Sequence, residues 1–141
     1  MVVKIKYLRD IKPIEKFANG DWIDLRSAVD VDLDQFEFAV IPLGVAMQLP
    51  EGYEALIAPR SSTFKKWGIM QVNSIGIIDS TYCGDHDEWA LPVVALRRTR
   101  IYKNDRICQF RIIKNQEDFT FSKVKILGNP DRNGFGSTGD K

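Results

Sequence analysis

Histidine and cysteine are almost missing from this chain. Its 141 residues include one histidine, His86, and two cysteines, Cys83 and Cys108. Catalysis through histidine would rest on a single residue in the acidic stretch GDHDEW. A solvated loop suits that stretch better than a catalytic or metal site. The cysteines lack metal-type spacing, so free thiols in a reducing cytoplasm are expected. Charge of one sign is also missing: 20 basic and 19 acidic residues leave a formal net charge of +1. No polyanion-binding surface follows, and no nucleic-acid partner is expected, although a local cationic pocket for a small phosphate ligand stays open. No apolar run approaches the roughly 18 residues of a membrane span. The start, MVVKIKYLRD, carries charge throughout and does not resemble a signal peptide, so no membrane partner is expected. Repeats and low-complexity tracts are absent.

What remains is mostly short strands. With 44% hydrophobic and 28% charged residues the chain can bury the core of one domain. VVKIKYL alternates apolar and polar residues as a half-buried strand does. WIDLRSAV, FEFAVIPLGVAMQLP, YEALIAP, WALPVVALRR, RICQFRIIK and FTFSKVKIL extend the series to roughly ten strands. Pro13, Asn19, Gly20, Pro42, Gly44 and Pro50 interrupt it. One short helix is expected, with Ser61 or Ser62 as N-cap, TFKKW as body and Gly68 as stop. The expected class is an all-β sandwich or distorted barrel, followed from Gly128 by a tail without a core pattern.

The chemistry centres on NSIGIIDSTYCG, residues 73–84. Asp79 follows Ile77 and Ile78 at the end of a strand, where apolar neighbours would partly desolvate it. A carboxylate so placed can act as a general base. Asn73 offers an amide and Tyr82 a flat ring with a polar tip, enough to grip a planar polar ligand such as a nucleobase and its sugar. The same pattern equally suits a tight hairpin whose Asp and Asn satisfy turn backbone.

Four further stretches carry polar groups in suggestive places. In APRSS, residues 58–62, Arg60 offers a planar fork and Ser61 and Ser62 offer hydroxyls, beside a helix start where anions settle. A well-capped helix next to a surface arginine is the plainer reading. In GDWIDLRSA, Asp24 faces away from Ile23 and Leu25, and an ion pair with Arg26 or Arg60 is favoured over a role at a metal-bound water. In NDRICQFRII, strand alternation puts Gln109 with Ile107 and Arg111, opposite Cys108, Phe110 and Ile112. Taken alone, Gln109 suits a hydrogen bond to backbone. DRNGFGSTGDK, residues 131–141, is rich in glycine and costly to order, yet it carries Arg132 and Phe135. A segment that folds over bound ligand, with Phe135 stacked on a base, uses all of these residues.

In this order the five stretches resemble the five motifs of the trimeric deoxyuridine triphosphate nucleotidohydrolases (dUTPases), in a short bacterial or prophage-like form. NSIGIIDSTYCGD and NGFGSTG are the specific ones. The resemblance implies a distorted jelly-roll barrel of the β-clip type over residues 1–127. It further implies a flexible arm over residues 128–141 that closes on a neighbouring subunit's site, in a cytoplasmic homotrimer. It implies hydrolysis of dUTP to dUMP and pyrophosphate with Mg²⁺. By position, Asp79 would polarise the attacking water and Tyr82 would pack on the deoxyribose. Asn73 and the backbone around Ile78 would read the uracil edge. Arg60, Ser61, Ser62 and Gln109 would touch the phosphates or the waters of their magnesium, with Asp24 acting indirectly and no direct protein ligand to the metal. Arg132 would approach the γ-phosphate, Phe135 would cover the uracil, and Gly136, Ser137 and Thr138 would complete the last motif. Two departures stand out: a shortened gap between Arg132 and Phe135, and the expanded acidic turn GDHDEW before Trp89. Rival readings are a deaminating relative acting on dCTP and a regulatory protein that works through an unidentified protein partner.

Overall fold

A computed structural model describes residues 1–136 and Gly139. Its alternating β-branched and aromatic segments form eleven strands and one helix among the described residues. The strands are β1 (Lys4–Tyr7), β2 (Ile23–Arg26), β3 (Val31–Leu33), β4 (Phe38–Pro42), β5 (Val45–Gln48) and β6 (Tyr53–Pro59). After the helix α1 (Thr63–Trp67) come β7 (Ile69–Gln71), β8 (Gly76–Ile78), β9 (Ala90–Ala95), β10 (Thr99–Ile101) and β11 (Arg106–Lys114). No helix among the described residues is long and apolar enough to cross a membrane.

The chain is all-β with one short helix, but the expected barrel is not closed. Its antiparallel ladders fall into four sheets: β1-β5, β3-β10, β2-β11-β6-β8 and β4-β9-β7. Pro42 and Gly44 show one cause. The run FEFAVIPLGVAMQLP has the pattern of one long strand, yet Gly44 takes φ +76° and the chain leaves one sheet for another between β4 and β5. Between the sheets lies the core, in which Trp89 meets Phe110 edge to face at 5.2 Å.

Two local departures follow from register. In β11 the pairing with β2 slips between Arg106 and Cys108, so Ile107 is an extra residue in a β-bulge. Ile107 and Cys108 are therefore both buried, where simple alternation puts Ile107 outside with Gln109. FTFSKVKIL, residues 119–127, forms no strand, and regular structure ends at Lys114. Phe121, Ile126 and Leu127 stay 93%, 82% and 84% exposed. A strand pattern is realised only against an edge that supplies its hydrogen bonds, and among the described residues no edge does so. The helix stops as predicted, with Gly68 at φ +64° donating its N–H to the Phe64 carbonyl at 2.7 Å, whereas Ser62 holds the N-cap position without a side-chain capping bond.

Candidate active site

The four-stranded sheet positions the hairpin that carries Asp79. β8 pairs with β6 through Ile57–Gly76, Leu56–Ile77 and Ala55–Ile78. Gly76 permits this close fit, because a Cβ there would stand 3.1 Å from Ile57 Cβ. The turn before it is tied by Ile75 N–H to the Asn73 carbonyl at 2.6 Å, and Gln71 Nε2 donates to the Ile57 carbonyl at 3.1 Å. Beyond β8 the chain folds back, with the Tyr82 N–H donating to the Asp79 carbonyl at 3.0 Å. The Tyr82 hydroxyl donates to the Glu88 carbonyl at 2.9 Å, which fixes the ring. Burial first, then Asp87 and Glu88, push the Tyr82 hydroxyl pKa up and keep it a donor. A cleft of about 470 Å³ lies here, lined by Asn73, Ile78, Asp79, Thr81, Tyr82 and Trp89 among others. That volume suits a nucleoside-sized ligand.

Asp79 is not desolvated as its sequence neighbours suggest. It lies exposed on the cleft rim, because the chain leaves the sheet after Ile78. The Thr81 hydroxyl donates to Asp79 Oδ2, as does the Thr81 N–H at 3.1 Å. The Thr81 side chain first, and then its backbone, hold the carboxyl below the ordinary value of 3.8. Asp79 is thus ionised at neutral pH, and its depressed pKa favours the fold above the unfolded-state pKa, a gain lost as pH falls through the folded-state value. Thr81→Val is expected to raise the Asp79 pKa toward the ordinary value, since only the backbone bonds of Thr81 and Ser80 remain. Carbon NMR of the Asp79 carboxyl against pH reads this shift, and an unmoved midpoint would show that the hydroxyl contributes nothing.

A second cluster sits on another part of the same sheet, and neither Arg60 nor Gln109 lines the cleft. Asp24 lies opposite Gln109 in the β2–β11 ladder, and Gln109 opposite Ala58 in β11–β6. Arg60 Nε meets Asp24 Oδ1 at 3.1 Å, one of the two partners expected from sequence, and Arg106, not Arg26, is the second, its Nη1 3.3 Å from Asp24 Oδ2. Arg60 Nη1 also donates to the Arg106 carbonyl at 2.9 Å. Gln109 Nε2 donates to the Pro59 carbonyl at 3.0 Å, which leaves its amide oxygen as an acceptor. Burial pushes the Cys108 thiol pKa strongly up, and Asp24 adds to the shift. Ser61 is exposed, and Ser62 makes no side-chain capping bond. With only five residues, α1 has little dipole to offer, so any anion site here rests on the arginine and the serine hydroxyls.

Arg132, Phe135 and Gly136 are exposed and do not line the cleft, and Ser137 and Thr138 lie outside the described residues. Sequence reasoning missed Thr81, whose signal is the short Asp-Ser-Thr turn. It also missed Arg106, whose partner Asp24 lies far back in the chain, and the role of Glu88 in GDHDEW. Glu88 takes two bonds from Arg9, at 2.8 and 3.1 Å, and a third from the Gly44 N–H at 3.0 Å. That clamp pins the expanded turn to the chain's start and raises the Arg9 pKa. Among the described residues no three His, Cys, Asp or Glu side chains gather as a metal site.

An all-β chain with an ionised carboxylate on the rim of a nucleoside-sized cleft, and arginines gathered elsewhere on the same sheet, is by class a small enzyme for an anionic ligand. The chain belongs to the dUTPase family, whose family model matches residues 20–139. It is 56% identical, over the whole of both chains, to the SPbeta prophage-derived deoxyuridine 5'-triphosphate nucleotidohydrolase YosS of Bacillus subtilis strain 168. It shares its fold with a variant of the Staphylococcus bacteriophage 80alpha dUTPase bound to dUpNHpp (TM-score 0.82, 23% identity, 99% of each chain covered). A second fold relative is a variant dUTPase of phage phi11 of S. aureus, described with a structural Mg(II) ion (TM-score 0.75, 20% identity, 90% of this chain and 99% of that one covered).

Proposed function

We propose that this protein hydrolyses dUTP to dUMP and pyrophosphate, which keeps uracil out of DNA and supplies dUMP for thymidylate synthesis. The observation that carries the reading is the ionised Asp79 on the rim of a cleft that also holds Asn73, Ile78 and Tyr82. Asp79 accepts a proton from the water that attacks the α-phosphorus, and it is already deprotonated when substrate arrives. Asn73 and the hairpin backbone around Ile78 read the uracil edge through directional hydrogen bonds. Tyr82, anchored through Glu88, packs on the deoxyribose where a 2′-hydroxyl would need room.

Arg60, Ser61, Ser62 and Gln109 take the phosphates. Two nitrogens of Arg60 are held by Asp24 and the Arg106 carbonyl, and Nη2 stays available to a ligand oxygen. Magnesium bound with the triphosphate supplies charge neutralisation. The residues fit such an ion only in part. Asp24 is spent on Arg60 and Arg106, so the protein group that would approach such an ion is the Gln109 amide oxygen, with no carboxylate free to bind it in this cluster.

We read the open ladders as one unit of a jelly-roll homotrimer, cytoplasmic, in which residues 128–141 close over a neighbour's site. Two observations support this. The cleft and the arginine cluster are separate in one chain, and Phe121, Ile126 and Leu127 are almost fully exposed in it. Arg132, Phe135, Gly136, Ser137 and Thr138 then meet the γ-phosphate and the uracil from a neighbouring chain. The deciding measurement is pyrophosphate release from dUTP, UTP, dCTP and dTTP. Fast release from dUTP alone is expected; ammonia release from dCTP would replace this reading by deamination. In the same assay Tyr82→Ala should narrow the dUTP-to-UTP ratio in kcat/KM, and an unchanged ratio would move sugar discrimination elsewhere.

A further inference from the structure

The short helix α1 does not hold itself. Five residues make barely one turn, and an isolated turn is unstable in water. Its start is tied down by one buried hydroxyl. Thr63 is 2% exposed, and its Oγ1 accepts from the Arg60 N–H at 2.8 Å while donating to the Ile107 carbonyl at 2.9 Å. The Thr63 N–H returns to the Arg60 carbonyl at 3.0 Å, which closes a small ring around Arg60, Ser61 and Ser62.

The Ile107 carbonyl is available because of the bulge in β11. The register slips there, and the carbonyls of Arg106 and Ile107 receive Arg60 Nη1 and Thr63 Oγ1 in turn. Arg60 is therefore held at both ends: its backbone by Thr63, its guanidinium by Asp24 and the Arg106 carbonyl. Without the first hold, the second would leave a pivot.

We propose that Thr63 is a positioning residue, which fixes the Arg60-Ser61-Ser62 segment to the β11 bulge at the setting a triphosphate requires. The proposal rests on the reading of those three residues as phosphate contacts. A hydroxyl that only stabilised a turn would change the melting temperature and leave ligand preference alone. A positioning hydroxyl changes affinity for the phosphates and spares the nucleoside end, which binds at the other cluster.

The test uses the full chain and two ligands, the imido analogue of dUTP with magnesium, and deoxyuridine. Thr63→Val keeps the shape and removes both bonds. It should weaken analogue binding about tenfold in calorimetry, which the loss of two buried hydrogen bonds can supply. Deoxyuridine binding should stay unchanged, and Thr63→Ser should return analogue binding to within about twofold of the parent. If Thr63→Val does not fold, Thr63→Ala, which leaves space for a water, is measured in its place. Equal losses for both ligands, or no loss for either, would overturn the proposal. Arg60→Gln separates it from the reading beneath it. If Arg60→Gln weakens the analogue and Thr63→Val does not, the positioning role alone falls. If Arg60→Gln leaves the analogue unaffected, the phosphate role of Arg60 falls and the proposal goes with it.

Discussion

Asp79→Asn should lower turnover of dUTP about 10²- to 10⁴-fold, the range for removing a general base. The substitution changes little else. Asparagine keeps an oxygen that can accept from the Thr81 N–H and hydroxyl, so the turn of residues 79–82 keeps its geometry. The lost property is the capacity to take a proton. Because Thr81 holds the Asp79 pKa below its ordinary value, the parent carries an ionised carboxylate there at pH 7, and the variant carries none. Binding of a non-hydrolysable analogue should survive, since the cleft floor of Ile57, Gly76 and Trp89 is untouched. Pyrophosphate release under saturating dUTP, with analogue binding by calorimetry, reads the two effects separately. Near-normal turnover in the purified variant would remove Asp79 from the mechanism.

The parts that sequence made legible are those settled within a few residues. α1 is bounded by Ser62 and by a glycine that adopts the left-handed conformation a helix end requires. β6 and β9 show period-two burial over most of their length, which is what a half-buried strand writes into its sequence. Asn73, Ile78, Asp79 and Tyr82 come together because one hairpin holds them all. What failed depends on partners far along the chain. The bulge at Ile107 is a matter of register against β2, and alternation within β11 carries no sign of it. Asp24 and Arg106 meet across the β2–β11 ladder, so no local pattern announces the pair. Ile77 and Ile78 predict a desolvated acid only if the chain stays in the sheet past Ile78, and it does not. FTFSKVKIL has a strand's alternation and lacks an edge to join within its own chain.

That missing edge leads to the second large effect. Truncation after Gly128 removes Arg132, Phe135 and the glycine-rich end, and it should abolish most turnover while leaving β1 to β11 intact. Asp79→Asn should do the same by another route. If each site takes Asp79 from one subunit and the tail from another, the two dead proteins can rescue each other. In a closed threefold ring formed by equal random mixing, half of the subunits offering a carboxylate are truncated chains with an intact Asp79. Half of those offering a tail are Asp79→Asn chains with an intact arm. About a quarter of all sites then have both. The two variants would be unfolded together, refolded, and the mixed trimers confirmed by mass. Recovery of about a quarter of parental activity per site is expected. Phe135 is fully exposed and does not line the cleft of its own chain, which leaves its ring open to a ligand. If each tail served its own chain, every mixed site would lack either the carboxylate or the arm, and confirmed mixed trimers would stay inactive. That result would sink the shared site.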